Sequence, residues 1–185
     1  MRKFITFLAV LSFMAAGCQN TSPAGGVLPG ASSSQSYDPC ELLQSSDFAS
    51  YYPGEEYKQT KHDTEANAVG QKICFYDIGE DMKFVQLSIV SDADMPEKTK
   101  AGGQNSEKIY TQGKDLLEDT QTVTGLGDEA YYGGSGLGLG KGLTVLVKGK
   151  GVHFNVVIGL GFGNDDQAKH LEIESAIAKK VLERL

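Results

Sequence analysis

The sequence has no tryptophan, only three histidines, and no cluster of lysine and arginine. Its 17 basic residues are outnumbered by 24 acidic ones, which gives a formal net charge of −7 at pH 7. Nucleic-acid binding and electrostatic docking on anionic lipid both require a basic surface, so neither is expected. His62, His153 and His170 show no metal-ligand spacing among themselves or with the cysteines. We therefore expect no metal and no cofactor.

An apolar run near the N-terminus, residues 4–14, is too short to cross a bilayer on its own. It follows the basic residues 2–3 and ends in the small residues 15–17, directly before Cys18. This order resembles the lipobox of bacterial lipoproteins. The resemblance implies that residues 1–17 are removed as a signal peptide and that Cys18 is acylated, which would anchor the protein to a membrane. An ordinary secretory signal followed by a chance cysteine is the alternative.

The segment after Cys18 consists of serine, glycine, proline, alanine and other uncharged residues. This composition predicts a flexible tether over residues 18–36, followed by a single domain over residues 37–185. Gln19 stands where the lipoprotein sorting pattern uses aspartate for retention at the inner membrane. In a cell with two membranes, we therefore expect the protein on the periplasmic face of the outer membrane.

Hydrophobic periodicity predicts an α+β domain with a single, mainly antiparallel sheet covered by helices. One or two short helices are expected at the N-terminus, from Asp38 to Tyr52, and another helix at residues 105–119 with Ile109, Leu116 and Leu117 facing inward. A C-terminal helix is expected to begin at Asp165 or Asp166. The predicted strands lie at residues 57–62, 73–78, 83–90, 129–132, 143–147 and 152–158. Residues 91–104 are expected to form a polar loop.

Two cysteines remain after Cys18. Because an even pair in an exported protein usually forms a disulfide, we expect a bond between Cys40 and Cys74.

Residues 124–145 contain eight of the 23 glycines. The run does not match a phosphate-binding loop, because Gly140-Lys141 is followed by Gly142 and Ser135 stands where the first glycine should be. It also lacks the last glycine of a nucleophile elbow. We interpret residues 133–142 as a mobile connection between strands.

The same region remains a candidate binding loop, with Tyr131, Tyr132, Ser135 and Lys141 as its binding residues. The tyrosines, including Tyr110, could line a ligand groove over the sheet, although packing on the sheet is the commoner role.

Three motifs resemble a family of bacterial lipoproteins that is known only as a domain of unknown function. They are DPCELL at residues 38–43, ICFY at 73–76 and GLGDEAYY at 125–132. The family is similar to PsbP-type α/β/α sandwiches. The resemblance implies the same Cys40–Cys74 bond and no catalytic residue.

Three functions follow, in order of preference. The first is a non-enzymatic envelope lipoprotein whose domain binds or supports another envelope protein. The second is a periplasmic lipoprotein that binds a small ligand. The third is a hydrolase that uses Ser135, His153 and a carboxylate.

Overall fold

The computed structural model describes residues 35–134 and 141–185. Within these residues, seven strands form one antiparallel sheet in the order β1-β2-β3-β7-β6-β5-β4. The strands are β1 (Tyr57–His62), β2 (Gln71–Ile78), β3 (Lys83–Ser91), β4 (Gln121–Val123), β5 (Glu129–Gly134), β6 (Lys141–Val147) and β7 (Val152–Leu160). The helices are α1 (Pro39–Leu42), α2 (Glu97–Ala101), α3 (Ser106–Asp115) and α4 (Gln167–Arg184). The predicted α+β class is confirmed, including the C-terminal helix.

One face of the sheet forms the main core with α4. Every second residue of the central strands points toward it, including Leu87 of β3 and Phe154 of β7, and both side chains are fully buried. Ile177 of α4 packs into the same cluster. Burying each such side chain contributes roughly 1.5–3 kcal/mol. The helix begins where predicted, because the Asp166 side chain accepts a hydrogen bond from the backbone N–H of Lys169.

The N-terminal segment is tied to this core at two points. A disulfide joins Cys40 of α1 to Cys74 of β2, with the Cα atoms 5.1 Å apart, which confirms the predicted bond. The Arg184 guanidinium donates to both carboxylate oxygens of Asp47, at 2.6 and 2.7 Å. The segment itself is less helical than expected, with one α-helical turn and two 3₁₀ turns between residues 39 and 51.

The second face of the sheet is partly covered by α3, which packs against β6 and β7. The buried apolar cluster beneath this helix consists of Tyr110, Tyr131 and Leu146, with Leu117 packed against it. Leu117 therefore faces inward as predicted. The prediction for Leu116 is wrong, since this side chain is 83% exposed. Leu116 keeps helical backbone angles, and successive helical residues are about 100° apart, so Leu116 lies to the side when Leu117 faces the sheet.

Other differences from the predicted elements follow from pairing between strands. β2 begins at Gln71 because that residue pairs with Val90, and the short strand β4 forms because it pairs with β5. β5 and β6 use part of the glycine-rich connection, since Gly133 pairs with Gly142. The short helix α2 lies within the predicted loop at residues 91–104.

Cys18, the signal peptide and most of the tether lie outside the described residues, as does Ser135. In the two described ranges, no helix is long and apolar enough to cross a membrane. The chain joins the domain beside Ser91 at the end of β3, where the Ser91 hydroxyl donates to the Gln35 carbonyl at 2.7 Å.

Candidate functional site

A cleft of about 320 Å³ lies between α3 and the second face of the sheet. We call it the α3 cleft. Its lining includes Gln71, Ser88, Tyr110, Thr144, His153 and Asn155. The helix that forms its wall begins after Asn105, whose side chain accepts from the backbone N–H of Lys108 at 2.8 Å. The local sequence thus fixes the start of α3, and Tyr110 follows Asn105 by just over one helical turn, on the side of the helix that faces the sheet.

The floor of the α3 cleft is a row of polar side chains that crosses the central strands. Ser88 pairs with Asn155, Asn155 with Thr144, and Thr144 with Tyr131. The Asn155 amide donates to the Thr144 hydroxyl at 2.9 Å. Buried polar side chains in the middle of a sheet are uncommon unless they are satisfied or functional. The row therefore makes the cleft the strongest candidate for a binding site.

His153 lies on β7 at one end of this cleft and is 8% exposed. Its Nδ1 lies 2.8 Å from the backbone carbonyl oxygen of Ser106, which can only accept, so Nδ1 carries the proton. Burial lowers the pKa of His153 to about 4, so the ring is neutral at pH 7. The Nε2 atom is then an acceptor, and no other described residue donates to it.

Tyr110 carries a hydroxyl group with no hydrogen-bond partner among the described residues. Its side chain is only 2% exposed, and its ring lies 5.1 Å from that of Tyr131 and 6.2 Å from that of His153. Burial raises the pKa of Tyr110, so the hydroxyl keeps its proton and remains a donor. A buried donor without a partner is costly, and such a group requires an explanation.

The three described residues of the predicted binding loop, Tyr131, Tyr132 and Lys141, do not line one cleft. Tyr131 and Tyr132 are neighbours in a strand and point to opposite faces of the sheet. Tyr131 lines the α3 cleft, where its hydroxyl lies close to Gly113 of α3. Tyr132 and Lys141 instead line a wider cleft of about 510 Å³ beside α4. There the Tyr132 hydroxyl donates to Gln167 Oε1 at 3.0 Å, so this tyrosine is already satisfied.

The catalytic triad hypothesis finds no support in the geometry of His153. In such a triad a carboxylate orients the imidazole through the nitrogen that does not face the serine. In this protein the Nδ1–H of His153 is bonded to the carbonyl of Ser106. The geometry of His153 therefore does not favour the hydrolase hypothesis.

One cluster of metal-ligand types does occur in the described part of the chain. Atoms of Asp38, Cys40 and His62 lie within 4.8 Å of one another. The Cys40 sulfur belongs to the disulfide, so it is no thiolate ligand. His62 Nε2 lies 2.6 Å from Asp38 Oδ2. Burial acts to raise the pKa of Asp38, but hydrogen bonds from His62 and the Cys40 backbone outweigh it and lower that pKa.

A buried carboxyl group, Glu174, lies on the core side of α4 and lines neither cleft. Its side chain is fully buried, and Oε1 accepts from the backbone N–H of Ile158 at 3.2 Å. No described residue bonds to Oε2. Burial raises the pKa of Glu174 to about 9, so the carboxyl is protonated at neutral pH.

Two exposed apolar side chains stand together at one end of the sheet. Met82, in the turn between β2 and β3, is 61% exposed, and Phe162, in the loop after β7, is 87% exposed. Both line the same shallow depression, and Gly161 of the second loop lies close to the Asp81 carbonyl of the first. We call Met82 and Phe162 the apolar tip.

Comparison of the chain with protein-family models, curated proteins and solved structures finds no match. The resemblances to the lipobox and to the DPC-type lipoproteins therefore stay predictions.

Sequence reasoning did not identify Thr144 and Asn155 as residues of the α3 cleft. It also did not show that His153 is buried. A signal for them is present, because each interrupts an apolar strand at a position facing away from the core. Only the order of the strands shows that these interruptions are adjacent in space.

Proposed function

We propose that this protein is a non-enzymatic lipoprotein of the cell envelope, anchored through Cys18, whose domain binds another envelope protein. In a cell with two membranes it would lie on the periplasmic face of the outer membrane. The proposal depends on the predicted signal peptide and tether. We also propose that the domain is a PsbP-type sandwich, which its antiparallel sheet with helices on both faces supports.

The observation that carries the proposed function is the apolar tip. An exposed phenylalanine and an exposed methionine line the same depression, and both residue types are enriched at protein interfaces. The surrounding side chains include Glu80, Asp81 and Asp165, which are exposed and acidic, and Lys83, whose ammonium group is already paired with Glu55 at 2.6 Å. A partner with an apolar pocket and a basic rim would match this surface.

The position of the apolar tip favours a protein partner over the anchoring membrane. The tether joins the domain at the Ser91 end of β3, whereas Met82 precedes the Lys83 end. Because β3 has nine residues, about 27 Å separates the two ends at about 3.3 Å per residue. The acidic rim would also be repelled by anionic lipid headgroups.

The test is crosslinking in cells that express the full-length chain with a photoreactive amino acid at position 162. Val69 is the matched control position, because it is also an exposed apolar residue but lies between β1 and β2, at the Ser91 end of β3. We expect one envelope protein to be captured in near-equal amount from position 162 and not from position 69. Capture should be lost in Phe162→Ser and Cys18→Ala, and kept in Val69→Ser.

Equal capture from both positions would contradict the proposed interface. Capture that survives Phe162→Ser would place the partner elsewhere on the domain. Capture that survives Cys18→Ala would separate partner binding from the lipid anchor.

A small-ligand binder is the second candidate function. It is favoured by the α3 cleft, whose floor is the polar row of Ser88, Asn155 and Thr144. The two functions use different ends of the sheet and can be tested separately.

A further inference from the structure

We propose that Asp38, Cys40 and His62 form a zinc site in the reduced protein, and that zinc and the disulfide compete for the sulfur of Cys40. Every chain is synthesised with its cysteines as thiols, so the reduced state precedes the disulfide and the proposal requires no reductant. The proposal is independent of the partner surface at the apolar tip and of the small-ligand function.

The three side chains supply one sulfur, one nitrogen and one oxygen ligand, which are the types that bind Zn²⁺ in proteins. These atoms lie within 4.8 Å of one another. In a tetrahedral zinc site, the metal–ligand distances place neighbouring ligand atoms about 3.3–3.6 Å apart, so movements of about 1 Å close the site. Sequence spacing predicts no metal here, because the ligands come from the start of α1 and the end of β1, which only the fold brings together.

The pair formed by His62 and Asp38 is prepared for a cation. His62 Nε2 lies 2.6 Å from Asp38 Oδ2, and both side chains are partly exposed, so they can separate to admit a metal ion. Asp38 Oδ1 accepts from the backbone N–H of Cys40 at 2.8 Å. Hydrogen bonds of this kind orient the carboxylate ligands of metal sites.

The bonds exchanged on metal binding balance without any redox step. The S–H bond of Cys40 breaks, a Zn–S bond forms and the proton passes to water. Neutral His62 binds through the lone pair of Nε2, with its own proton on Nδ1. With three protein ligands on a partly exposed surface, water takes the fourth position.

Contacts that involve no sulfur hold the three ligands together when the disulfide is absent. Leu43, directly after α1, is fully buried in the main core. The Arg184 guanidinium binds both carboxylate oxygens of Asp47, which lies in the same N-terminal segment. Pairing between β1 and β2 holds His62 opposite Cys74. The reduced protein therefore keeps Asp38 and Cys40 beside His62.

The two cysteines differ in access to solvent. Cys74 is fully buried, whereas Cys40 is partly exposed and lies beside His62. A metal ion arriving from solvent thus meets the sulfur of Cys40. Disulfide formation requires a free thiolate, so zinc must leave Cys40 before the disulfide can close.

The experiment uses the full-length chain in detergent, reduced with a phosphine and then freed of the reductant without oxygen. The probe is Co²⁺, because thiolate-bound cobalt has a charge-transfer absorption that cobalt bound only through nitrogen and oxygen lacks. We expect the reduced protein to bind one Co²⁺ per chain with this absorption, and an equal amount of Zn²⁺ to displace it. The disulfide-bonded protein should show no such absorption.

Variants identify the ligands. Cys74→Ser leaves Cys40 as a permanent thiol, so it should bind Co²⁺ without reduction, whereas Cys40→Ser should lose the absorption. His62→Gln and Asp38→Asn should each weaken binding about tenfold or more, and asparagine keeps the helix cap. His170→Gln is the matched histidine control on α4 and should bind as the wild type does. Circular dichroism checks that every variant is folded.

A second measurement follows closure of the disulfide. Oxidised glutathione takes two electrons from the thiols of Cys40 and Cys74 and is itself reduced to two thiols. The loss of protein thiols is timed with and without an equal amount of Zn²⁺. We expect zinc to slow this reaction several-fold in the wild type and to have little effect in His62→Gln.

Four results would overturn the proposal. Absorption that survives Cys40→Ser would place the metal at another cysteine. Wild-type affinity in both His62→Gln and Asp38→Asn would exclude these residues as ligands. Absence of Co²⁺ binding from the reduced wild type and from Cys74→Ser would refute the site outright. Equal oxidation rates with and without zinc would refute the competition for Cys40. Each result leaves the proposed partner surface untouched, because that surface lies elsewhere on the domain.

Discussion

Replacing Glu174 with glutamine should stabilise the protein progressively as the pH rises above 4.5. The folded state holds this carboxyl protonated, because burial raises its pKa from the ordinary value of 4.5 to about 9. In the unfolded chain the same group ionises near its ordinary pKa. Between these two values the unfolded state releases a proton that the folded state keeps, so the free energy of unfolding falls as the pH rises.

The size of the effect follows from the interval between the two pKa values. At about 1.4 kcal/mol for each pH unit, the interval from the unfolded pKa to pH 7 corresponds to about 3 kcal/mol. Glutamine has nearly the same shape as the protonated acid and keeps an oxygen to accept from the Ile158 backbone N–H. It does not ionise in the unfolded chain, so the penalty disappears. The gain at pH 7 is on the order of 10 °C in melting temperature.

The assay is urea unfolding of the wild type and of Glu174→Gln at several pH values from 4.5 to 9. Glu172→Gln is the matched control, because Glu172 lies on the same helix and is exposed. His153 contributes in the opposite sense, since its lowered pKa means that stability is lost as the pH falls from 6.5 toward 4. That contribution is common to all three proteins and cancels in the differences.

We expect the stability difference between Glu174→Gln and the wild type to be small at pH 4.5 and to grow steadily toward pH 9. Glu172→Gln should show no such trend. A constant difference across the range, or a variant that is less stable than the wild type at pH 9, would show that Glu174 is not held protonated in the folded state.

The remaining predictions concern covalent and backbone constraints. The double variant Cys40→Ser/Cys74→Ser should unfold at lower urea concentration, with a loss of about 4 kcal/mol on the chain-entropy model for a loop closed over 34 residues; an unchanged midpoint would contradict this. Gly127→Ala should lose about 3 kcal/mol or more, because Gly127 has a φ of +56° and a Cβ atom there would strike the Leu146 carbonyl. Gly125→Ala, with a φ of +81° but open space around it, should lose only about 1 kcal/mol in the same assay. Equal losses for the two glycine variants would show that the contact with Leu146 is unimportant.

Much of the fold follows from local features of the sequence. The alternation of apolar residues in β3 and β7 predicts their buried faces, and this signal needs no knowledge of the partner strand. Asn105 and Asp166 predict helix starts because a cap bonds to a backbone N–H only three residues away. The hairpin between β6 and β7 is likewise confirmed, since its turn lies in a short glycine-containing segment.

The candidate sites depend on residues that are far apart in the sequence. Ser88, Asn155 and Thr144 form one row only because β7 pairs with both β3 and β6. The spacing of Leu116 from Ile109 predicts an inward position, but the face of α3 that packs on the sheet carries Tyr110 and Leu117, about 100° around the helix. Periodicity therefore left two neighbouring faces of this helix open, and only packing on the sheet selects one.

The sequence by itself determined the α+β class, the main strands and helix caps, and the pairing of Cys40 with Cys74, because these depend on local chain preferences or on a small number of cysteines. The tertiary structure alone decided that His153 is neutral, that Glu174 is protonated and that the Tyr110 hydroxyl has no partner within the described residues. The protonation and pairing of a side chain depend on burial and on neighbours brought together by folding. A sequence lists those groups and does not state the distances between them.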